Sequence, residues 1–387
     1  MSRILSFLSV LAYVIFSTVS ASAFQSAAKS VVVLDALSDT ILVEKNADTP
    51  IPPASMSKLM TLYMVFEALK SGRLSLQDRL PVSKEAIAYR GSTMFLELSD
   101  RVSVEDLIRG VVVLSGNDAS AVLAEALSPD GTEAGFAAQM NARARELGLD
   151  SSNFANSNGW PHPLHRMSAR DLAILAARLI SDFPIYYRYF AETEFDFEGR
   201  APGNRFNRNP LLKLNIGVDG LKTGYTREAG YGLTGSAKRD KRRVIFVLAG
   251  LSSAEERARE SEKLVNWYFL QFATRTLFED DEVILEVPVF MGSKSTVSAI
   301  SPRGVHVSVP LTGRGEITAE AVLYNGIEAP ISKGQILGEL LVKVPSISDL
   351  SRFPLQATED IERGGIGTRI WTAAKLLFQK YVLDALK

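Results

Sequence analysis

The stretch Pro52-Pro53-Ala54-Ser55-Met56-Ser57-Lys58 leads into the mostly apolar run 59–66, Leu-Met-Thr-Leu-Tyr-Met-Val-Phe. The apolar run predicts a buried central helix that begins near Ser55. Residues three apart on a helix face the same side, so the Lys58 amine is within reach of the Ser55 hydroxyl. A buried lysine near a second cation loses proton affinity, so this S-x-x-K spacing supplies a candidate nucleophile with its own base.

A second polar motif, Ser115-Gly116-Asn117, lies between the apolar segment 107–114 and the alanine-rich segment 119–127. A loop between two buried helices can present Ser115 and Asn117 across a cleft from Ser55. Each of the two also has an ordinary structural explanation, because serine often caps helices and asparagine often forms turns. The motif therefore gains its weight from its order relative to the others.

The third motif, Lys222-Thr223-Gly224, is followed by two apparent strands, residues 231–236 and 243–251. We expect the motif to open or lie on an edge strand, where Gly224 lets a substrate approach the backbone closely. Together the three motifs supply a nucleophile, two candidate proton carriers, a hydrogen-bonding amide and a basic strand end. These parts make up a complete acyl-transfer site.

In this order the motifs resemble those of the serine penicillin-recognising enzymes. Within that group the chain is similar to the low-molecular-weight penicillin-binding proteins that act as D-alanyl-D-alanine carboxypeptidases, the peptidase S11-like group of the penicillin-binding protein 5/6 type. The stretches Asn156-Ser157-Asn158-Gly159, Asn209-Pro210-Leu211-Leu212 and 217–224 extend the resemblance over essentially the whole chain. It implies an α/β (α+β) fold whose β-lactamase/transpeptidase-like domain mixes helices with an antiparallel sheet.

The resemblance also implies a role for each motif residue. Ser55 would be the nucleophile that becomes acylated, and Lys58 would be its base. Ser115 and Lys222 would form a proton path to the leaving D-alanine, while Asn117 would hydrogen-bond the peptide backbone of the substrate. The enzyme would remove the terminal D-alanine from peptidoglycan pentapeptide stems, with roles in wall maturation and cell shape. β-Lactams would acylate the same serine because they resemble the end of the substrate.

Further residues are assigned by the same resemblance. The substrate peptide would lie beside Lys222, Thr223 and Gly224, and the oxyanion hole would use the backbone N–H groups of the nucleophile and of Tyr225. Several family members have histidine where this chain has Tyr225, which bears on rate and selectivity more than on the reaction class. Arg257 would hold the terminal carboxylate of the substrate, with Arg259 as a nearby alternative. No cofactor and no metal ion are implied.

Three alternatives remain open at this stage. A β-lactamase would need fast deacylation, often from a dedicated glutamate. Residues 146–159 instead resemble those of carboxypeptidases, although the sequence alone does not exclude Glu146 as a residue that positions the water. A peptidoglycan D,D-endopeptidase would use the same residues on cross-linked peptides. A non-catalytic peptidoglycan-binding scaffold would keep the fold without turnover.

The N-terminal residues predict export. Arg3 precedes the apolar stretch 4–19, and Ala21-Ser22-Ala23 has the small residues that signal peptidase accepts. We therefore expect residues 1–23 to be a signal peptide and the mature chain to begin near Phe24. The absence of cysteine is compatible with an exported protein whose core is large enough to do without disulfides.

The C-terminal residues predict a contact with a membrane surface. Apolar side chains recur at helical spacing in residues 368–387, and the basic residues lie mainly off that stripe. Such a helix suits the interface of a membrane, and it follows the glycine-rich, linker-like segment 363–367. We expect a peripheral anchor on the periplasmic face of the inner membrane. Packing on the folded domain or pairing with another chain is the alternative.

Between these ends we expect two folded units, residues 24–275 and 276–362. The second is predicted to be β-rich, with strands at 283–289, 295–300, 305–311, 317–322 and 336–344. The net charge of −1 gives no reason to expect nucleic acid as a partner. The three histidines, His162, His165 and His306, are poorly spaced for a shared metal site.

Overall fold

A computed structural model describes residues 24–200, 202–312, 315–324, 326–345, 347 and 349–365. The predicted signal peptide, 1–23, and the predicted amphipathic helix, 368–387, lie outside the described residues. Among the described helices, none is both long enough and apolar enough to cross a membrane.

The described chain contains eight α-helices and fourteen strands. The helices are α1 Lys58–Lys70, α2 Lys84–Ile87, α3 Val104–Arg109, α4 Asn117–Leu127, α5 Glu133–Glu146, α6 Ala169–Asp182, α7 Pro184–Tyr187 and α8 Ala254–Gln271. The strands are β1 Ser30–Asp35, β2 Thr40–Lys45, β3 Arg79–Pro81, β4 Arg101–Ser103, β5 Val218–Thr226, β6 Gly230–Arg239, β7 Arg242–Leu251, β8 Phe272–Phe278, β9 Val283–Pro288, β10 Thr296–Ile300, β11 Val305–Pro310, β12 Thr318–Leu323, β13 Ile336–Lys343 and β14 Ser351–Ala357. Short 3₁₀ turns span Ala54–Ser57, Arg188–Ala191 and Pro202–Asn204.

The N-terminal domain is built on a five-stranded antiparallel sheet in the order β2-β1-β7-β6-β5. Strands β6 and β7 include the two predicted strands, 231–236 and 243–251. The Lys222-Thr223-Gly224 motif lies on β5 at one edge of this sheet, as predicted. Among the described strands, none pairs with the outer edge of β5, and such an edge is where an extended ligand can pair with a sheet.

Helix α1 is the buried central helix that the sequence predicts. Ten of its residues are buried, including Lys58 at its start and Phe66 near its end. It packs against α4, α5 and α6, while α6 also contacts β1, β6 and β7. Helix α8 contacts the sheet as well, at β6 and β7, and carries Leu264 and Val265 into a second apolar core. Because α1 is enclosed by α4, α5 and α6, its first turn is held in a fixed position.

The C-terminal domain is all-β. One sheet has the order β12-β13-β14-β10-β9, and a second pairs β11 with β8. The five strands predicted between residues 283 and 344 are confirmed, with bounds that differ by a few residues. Strand β8 follows α8 without a loop, pairs with β11 and so crosses the predicted boundary between residues 275 and 276.

The two domains share one apolar core. Val31 and Phe246 of the large sheet belong to the same cluster of buried residues as Val305 and Val307 of β11. At the edge of this contact the Thr40 and Ser351 hydroxyl oxygens lie 2.6 Å apart. The N-terminal sheet is thus covered on one side by helices and on the other by α8 and the C-terminal domain.

Candidate active site

Ser55 lies on the 3₁₀ turn Ala54–Ser57, immediately before α1, close to the predicted helix start. The Ser57 hydroxyl closes the turn by donating to the Ala54 carbonyl at 3.1 Å. Gly159 packs directly against this turn with φ +80°, and a Cβ there would lie 1.9 Å from the Ala54 carbonyl oxygen. Only glycine fits this position, so the loop before α6 holds the Ser55 turn in place.

The Lys58 amine lies at the centre of three hydrogen bonds. Its Nζ is 2.9 Å from Ser55 Oγ, 2.7 Å from Asn117 Oδ1 and 2.5 Å from the Asn158 carbonyl oxygen. The two Asn oxygens can only accept, so they take both N–H groups of a neutral amine. The lone pair of that amine then faces the Ser55 hydroxyl, which is the arrangement that a base requires.

The environment favours the neutral form of Lys58. Burial, assisted by the positive charge of Arg208, lowers the pKa of Lys58 to about 7, against the opposing influence of Asp118 and Glu133. Both carboxylates accept hydrogen bonds from backbone N–H groups: Asp118 from Met94 N at 2.9 Å and Glu133 from Ser157 N at 2.9 Å. At neutral pH a large fraction of Lys58 is therefore unprotonated.

Ser115 and Lys222 form a second buried pair. The Lys222 Nζ lies 2.9 Å from Ser115 Oγ, and both side chains are buried. Burial lowers the pKa of Lys222 well below its usual value, and the positive charges of Lys58, Arg208 and Arg257 lower it further. Ser115 follows a π-helical turn, Gly110–Leu114, and takes up a left-handed conformation with φ 61°. This turn directs the hydroxyl towards the edge strand.

Asn117 connects Lys58 to Arg90 and Ser92 on the opposite wall of the site. Its amide nitrogen Nδ2 donates to the Arg90 carbonyl at 2.7 Å, and its backbone N–H donates to the Ser92 carbonyl at 2.7 Å. With its Oδ1 accepting from Lys58, the side chain is held in one orientation.

A cleft of about 740 Å³ opens in front of Ser55. Thr223, Gly224 and Tyr225 of β5 line one side, and Asn117 lines the other. A Cβ on Gly224 would lie 2.9 Å from the Pro53 carbonyl, so glycine lets the strand approach the Ser55 turn. Ser55 and Tyr225, whose backbone N–H groups are the predicted oxyanion hole, both line the cleft.

Arg257 is a buried cation that lines the cleft. It is 8% exposed, and its Nη2 donates to the Arg208 carbonyl at 3.3 Å. Its Nε has no hydrogen-bond partner among the described residues. Arginine stays protonated despite a pKa lowered by burial. Arg257 is thus a donor suited to an anion in the cleft, whereas Arg259 is exposed and does not line it.

Comparison with known proteins identifies the chain. The family described as D-alanyl-D-alanine carboxypeptidase matches residues 17–253, and the family described as penicillin-binding protein 5, C-terminal domain, matches residues 272–363. The D-alanyl-D-alanine carboxypeptidase DacC of Escherichia coli is 37% identical over 366 residues, covering 92% of this chain and 89% of the relative. The chain belongs to the D-alanyl-D-alanine carboxypeptidase family.

Solved structures of penicillin-binding proteins have the same fold as this chain. Penicillin-binding protein 5 from Haemophilus influenzae has a TM-score of 0.76 and 35% identity, covering 88% of this chain and 98% of that chain. Penicillin-binding protein D2 from Listeria monocytogenes, in an ampicillin-bound form, has a TM-score of 0.57 and 31% identity over 63% of this chain and 98% of that chain. The fold predicted from the motifs is confirmed in both domains.

In this member of the family, the position of Glu146 overturns one sequence-based alternative. Its side chain is 63% exposed and forms an ion pair with Arg143 at 2.5 Å. It lines a separate groove with Glu67 and Arg73, away from Ser55. The idea that Glu146 positions a water for a β-lactamase reaction is therefore wrong, because the carboxylate lies at the end of α5 and faces another surface.

Several residues of the site escaped the sequence reasoning. Arg208, Trp160 and Tyr231 line the cleft, and the Asn158 carbonyl binds Lys58. Arg208 directly precedes the family-like stretch at 209–212, and Asn158 lies within another, so both had a signal nearby. Trp160 directly follows the stretch 156–159 and had the same kind of signal. Tyr231 had none, because an isolated aromatic residue usually belongs to a core.

In this family member, His165 and His306 lie in separate places and are part of the folded structure. His165 is buried, accepts from Ala155 N at 3.2 Å and packs on Phe154. Burial and the positive charge of Lys58 lower its pKa to about 4, so the ring is neutral. His306 lies on β11, in the other domain. Within the described ranges, no three His, Cys, Asp or Glu side chains are grouped to hold a metal ion.

Proposed function

We propose that this chain is a serine-type D-alanyl-D-alanine carboxypeptidase that removes the terminal D-alanine of peptidoglycan pentapeptide stems through an acyl-enzyme on Ser55. Lys58 takes the Ser55 proton while Oγ bonds to the carbonyl carbon of the penultimate D-alanine. The resulting oxyanion receives hydrogen bonds from the backbone N–H groups of Ser55 and Tyr225. The single observation that carries the proposal is the 2.9 Å approach of Lys58 Nζ to Ser55 Oγ.

The second half of acylation needs a proton at the leaving nitrogen. Collapse of the oxyanion breaks the C–N bond, and the Ser115 hydroxyl, paired with Lys222, protonates the departing amine. Lys58 passes the proton that it took from Ser55 to the Ser115–Lys222 pair, which replaces the proton given to the amine. Acylation therefore neither takes up nor releases a proton. Water then attacks the ester, gives a proton to Lys58 and releases the shortened peptide, regenerating the Ser55 hydroxyl.

Substrate positioning uses the edge strand and the cations of the cleft. The extended peptide lies beside Thr223 and Gly224 of β5, with its backbone bonded to Asn117. Arg257 binds the terminal carboxylate, since its buried guanidinium has donors to spare. β-Lactams enter the same cleft and acylate Ser55.

The test of this function is release of D-alanine from diacetyl-L-Lys-D-Ala-D-Ala by the full chain. Release that penicillin stops supports the proposal. If penicillin attaches but no D-alanine appears, the same assay on cross-linked muropeptides separates an endopeptidase, which cuts them, from a non-catalytic wall-binding scaffold, which cuts neither.

Replacing Arg257 by alanine is expected to raise the KM for the tripeptide substantially, because the terminal carboxylate loses a charge-assisted hydrogen bond worth about 1.5–3 kcal/mol. This corresponds to roughly a 10- to 150-fold fall in kcat/KM. Arg259→Ala is the matched control, since Arg259 lies two residues away on α8 but is exposed. Steady-state kinetics on the tripeptide check both variants. A larger loss in Arg259→Ala would reverse the assignment.

We propose further that residues 1–23 direct export and that residues 368–387 hold the enzyme peripherally on the periplasmic face of the inner membrane. The basic, amphipathic pattern of the C-terminal segment supports the second proposal. Deleting residues 368–387 is expected to abolish sedimentation with anionic lipid vesicles while D-alanine release persists. Unchanged sedimentation of the truncated chain would contradict the anchor.

A further inference from the structure

A second groove of about 370 Å³ lies beside the cleft of Ser55. Gly91 lines both, so the two are neighbours. The groove is lined by Ile87, Tyr89, Arg90, Gly91, Thr93, Phe95, Leu96 and Asp118. Its volume falls in the range of about 300–1,000 Å³ typical of ligand pockets, and its lining combines apolar side chains with a few polar groups.

Phe95 is the unusual residue of this groove. Its side chain is 56% exposed, although Met94 and Leu96 on either side are buried. Its φ of 60° lies in the left-handed region, which a bulky side chain rarely adopts. A strained backbone that presents an aromatic ring to solvent costs stability and gains no core packing. Such a feature points to a role on the surface.

The buried Asp118 carboxylate holds Phe95 in this conformation. It accepts from Met94 N at 2.9 Å and from Leu96 N at 3.2 Å, so it fastens the backbone on both sides of the ring. Asp118 directly follows Asn117 on α4. The aromatic ring is therefore fixed relative to the residue that we assign to binding the peptide backbone.

The groove adjoins the side of the cleft that Asn117 lines. Asn117 Nδ2 donates to the Arg90 carbonyl, and the neighbouring Tyr89 ring packs edge-on against Trp160 of the cleft at 5.8 Å. A substrate with its terminal carboxylate at Arg257 and its scissile carbonyl at Ser55 would pass Asn117, whose amide bonds to Arg90 of the groove.

We propose that this groove binds a sugar ring of the glycan strand to which the peptide stem is attached, with Phe95 as the stacking platform. The inference rests on the proposed function, since it places the remote part of that substrate. The C–H face of a pyranose is apolar and matches an exposed aromatic ring, while its hydroxyl groups suit Arg90 and the Thr93 hydroxyl. Contacts with a non-reacting part of the substrate add to its binding.

The experiment compares two substrates of the full chain, a sugar-free pentapeptide stem and the same stem carrying the N-acetylglucosamine–N-acetylmuramic acid disaccharide. Wild type is expected to have the higher kcat/KM on the sugar-linked stem. In Phe95→Gly the ratio of the two kcat/KM values is expected to fall about three- to tenfold, the scale of one aromatic stacking contact, mainly through KM. Phe95→Tyr keeps a ring and is expected to keep the ratio.

Two measurements separate this inference from simpler outcomes. Glycine relieves the positive φ at residue 95, so Phe95→Gly is expected to melt at the same temperature as wild type or higher, which excludes unfolding as the cause. Tyr324→Ala is the matched control, because Tyr324 is 53% exposed in the other domain. An unchanged ratio in Phe95→Gly overturns the glycan site. Failure of wild type to release D-alanine from the sugar-free stem overturns the proposed function instead.

Discussion

Ser55→Ala is expected to abolish both D-alanine release and covalent labelling by penicillin. The substitution removes the only atom of the residue that can form the acyl bond, while the turn Ala54–Ser57 keeps its Ser57 to Ala54 hydrogen bond and remains folded. Loss of a nucleophile that acts as part of a unit lowers kcat by about 10⁴-fold or more. The variant is checked with the tripeptide assay and with a fluorescent penicillin on a denaturing gel.

Ser57→Ala is the matched control for this prediction. Ser57 lies in the same turn, but its hydroxyl donates to the Ala54 carbonyl, whereas the Lys58 amine bonds to Ser55, Asn117 and Asn158. We expect it to retain penicillin labelling, with a stability loss of about 1 kcal/mol from one missing hydrogen bond. If penicillin labels Ser55→Ala at the rate of wild type, Ser55 is not the nucleophile. This conclusion does not depend on how Ser57→Ala is labelled.

Lys58→Ala is expected to slow acylation by about 10² to 10⁴-fold, the usual contribution of a positioned base. The alanine variant keeps the Ser55 hydroxyl but leaves no group within 2.9 Å to take its proton. Stopped-flow measurement of penicillin acylation reports this step without deacylation. Lys70→Ala, at the exposed end of the same helix, is the control and is expected to acylate normally.

The pH dependence of acylation tests the same lysine in the unmodified enzyme. Only the neutral amine accepts a proton, and the pKa of Lys58 is lowered to about 7. Acylation by penicillin is therefore expected to rise with pH through about 7 and to level off above it. A rate that stays flat from pH 5 to 9 would mean that Lys58 is not the base.

Much of the fold follows from patterns in the sequence. The apolar run 59–66 predicted α1 because a helix buried on every side carries few polar residues, and ten of its residues are buried. Lys222-Thr223-Gly224 was expected at a sheet edge, and β5 is the terminal strand of the sheet. Local spacing also brought Lys58 to Ser55, since three residues make about one helical turn.

Other features depend on contacts that are distant in sequence. Strand β14 escaped prediction because Pro354 interrupts its pattern, yet it lies between β13 and β10 with Phe353 and Leu355 buried. Strand β8 begins directly after α8, with no turn residue to mark the change.

The active site also has features that local spacing predicts and features that depend on contacts distant in sequence. Spacing does not reveal that burial and then the charge of Arg208 lower the pKa of Lys58, because both arise only in the folded chain. Nor does it reveal the left-handed Phe95, whose flanking backbone N–H groups donate to the Asp118 carboxylate of α4. Sequence motifs predicted the reacting groups that we propose, while the residues that tune and extend the site required the structure.

The measurement that tests the central claim most directly is peptide mapping of the full chain by mass spectrometry after reaction with penicillin. The account predicts one adduct per chain, on the peptide that contains Ser55, and no adduct in Ser55→Ala. An adduct on any other residue, or none on wild type, would contradict an acyl-enzyme at Ser55.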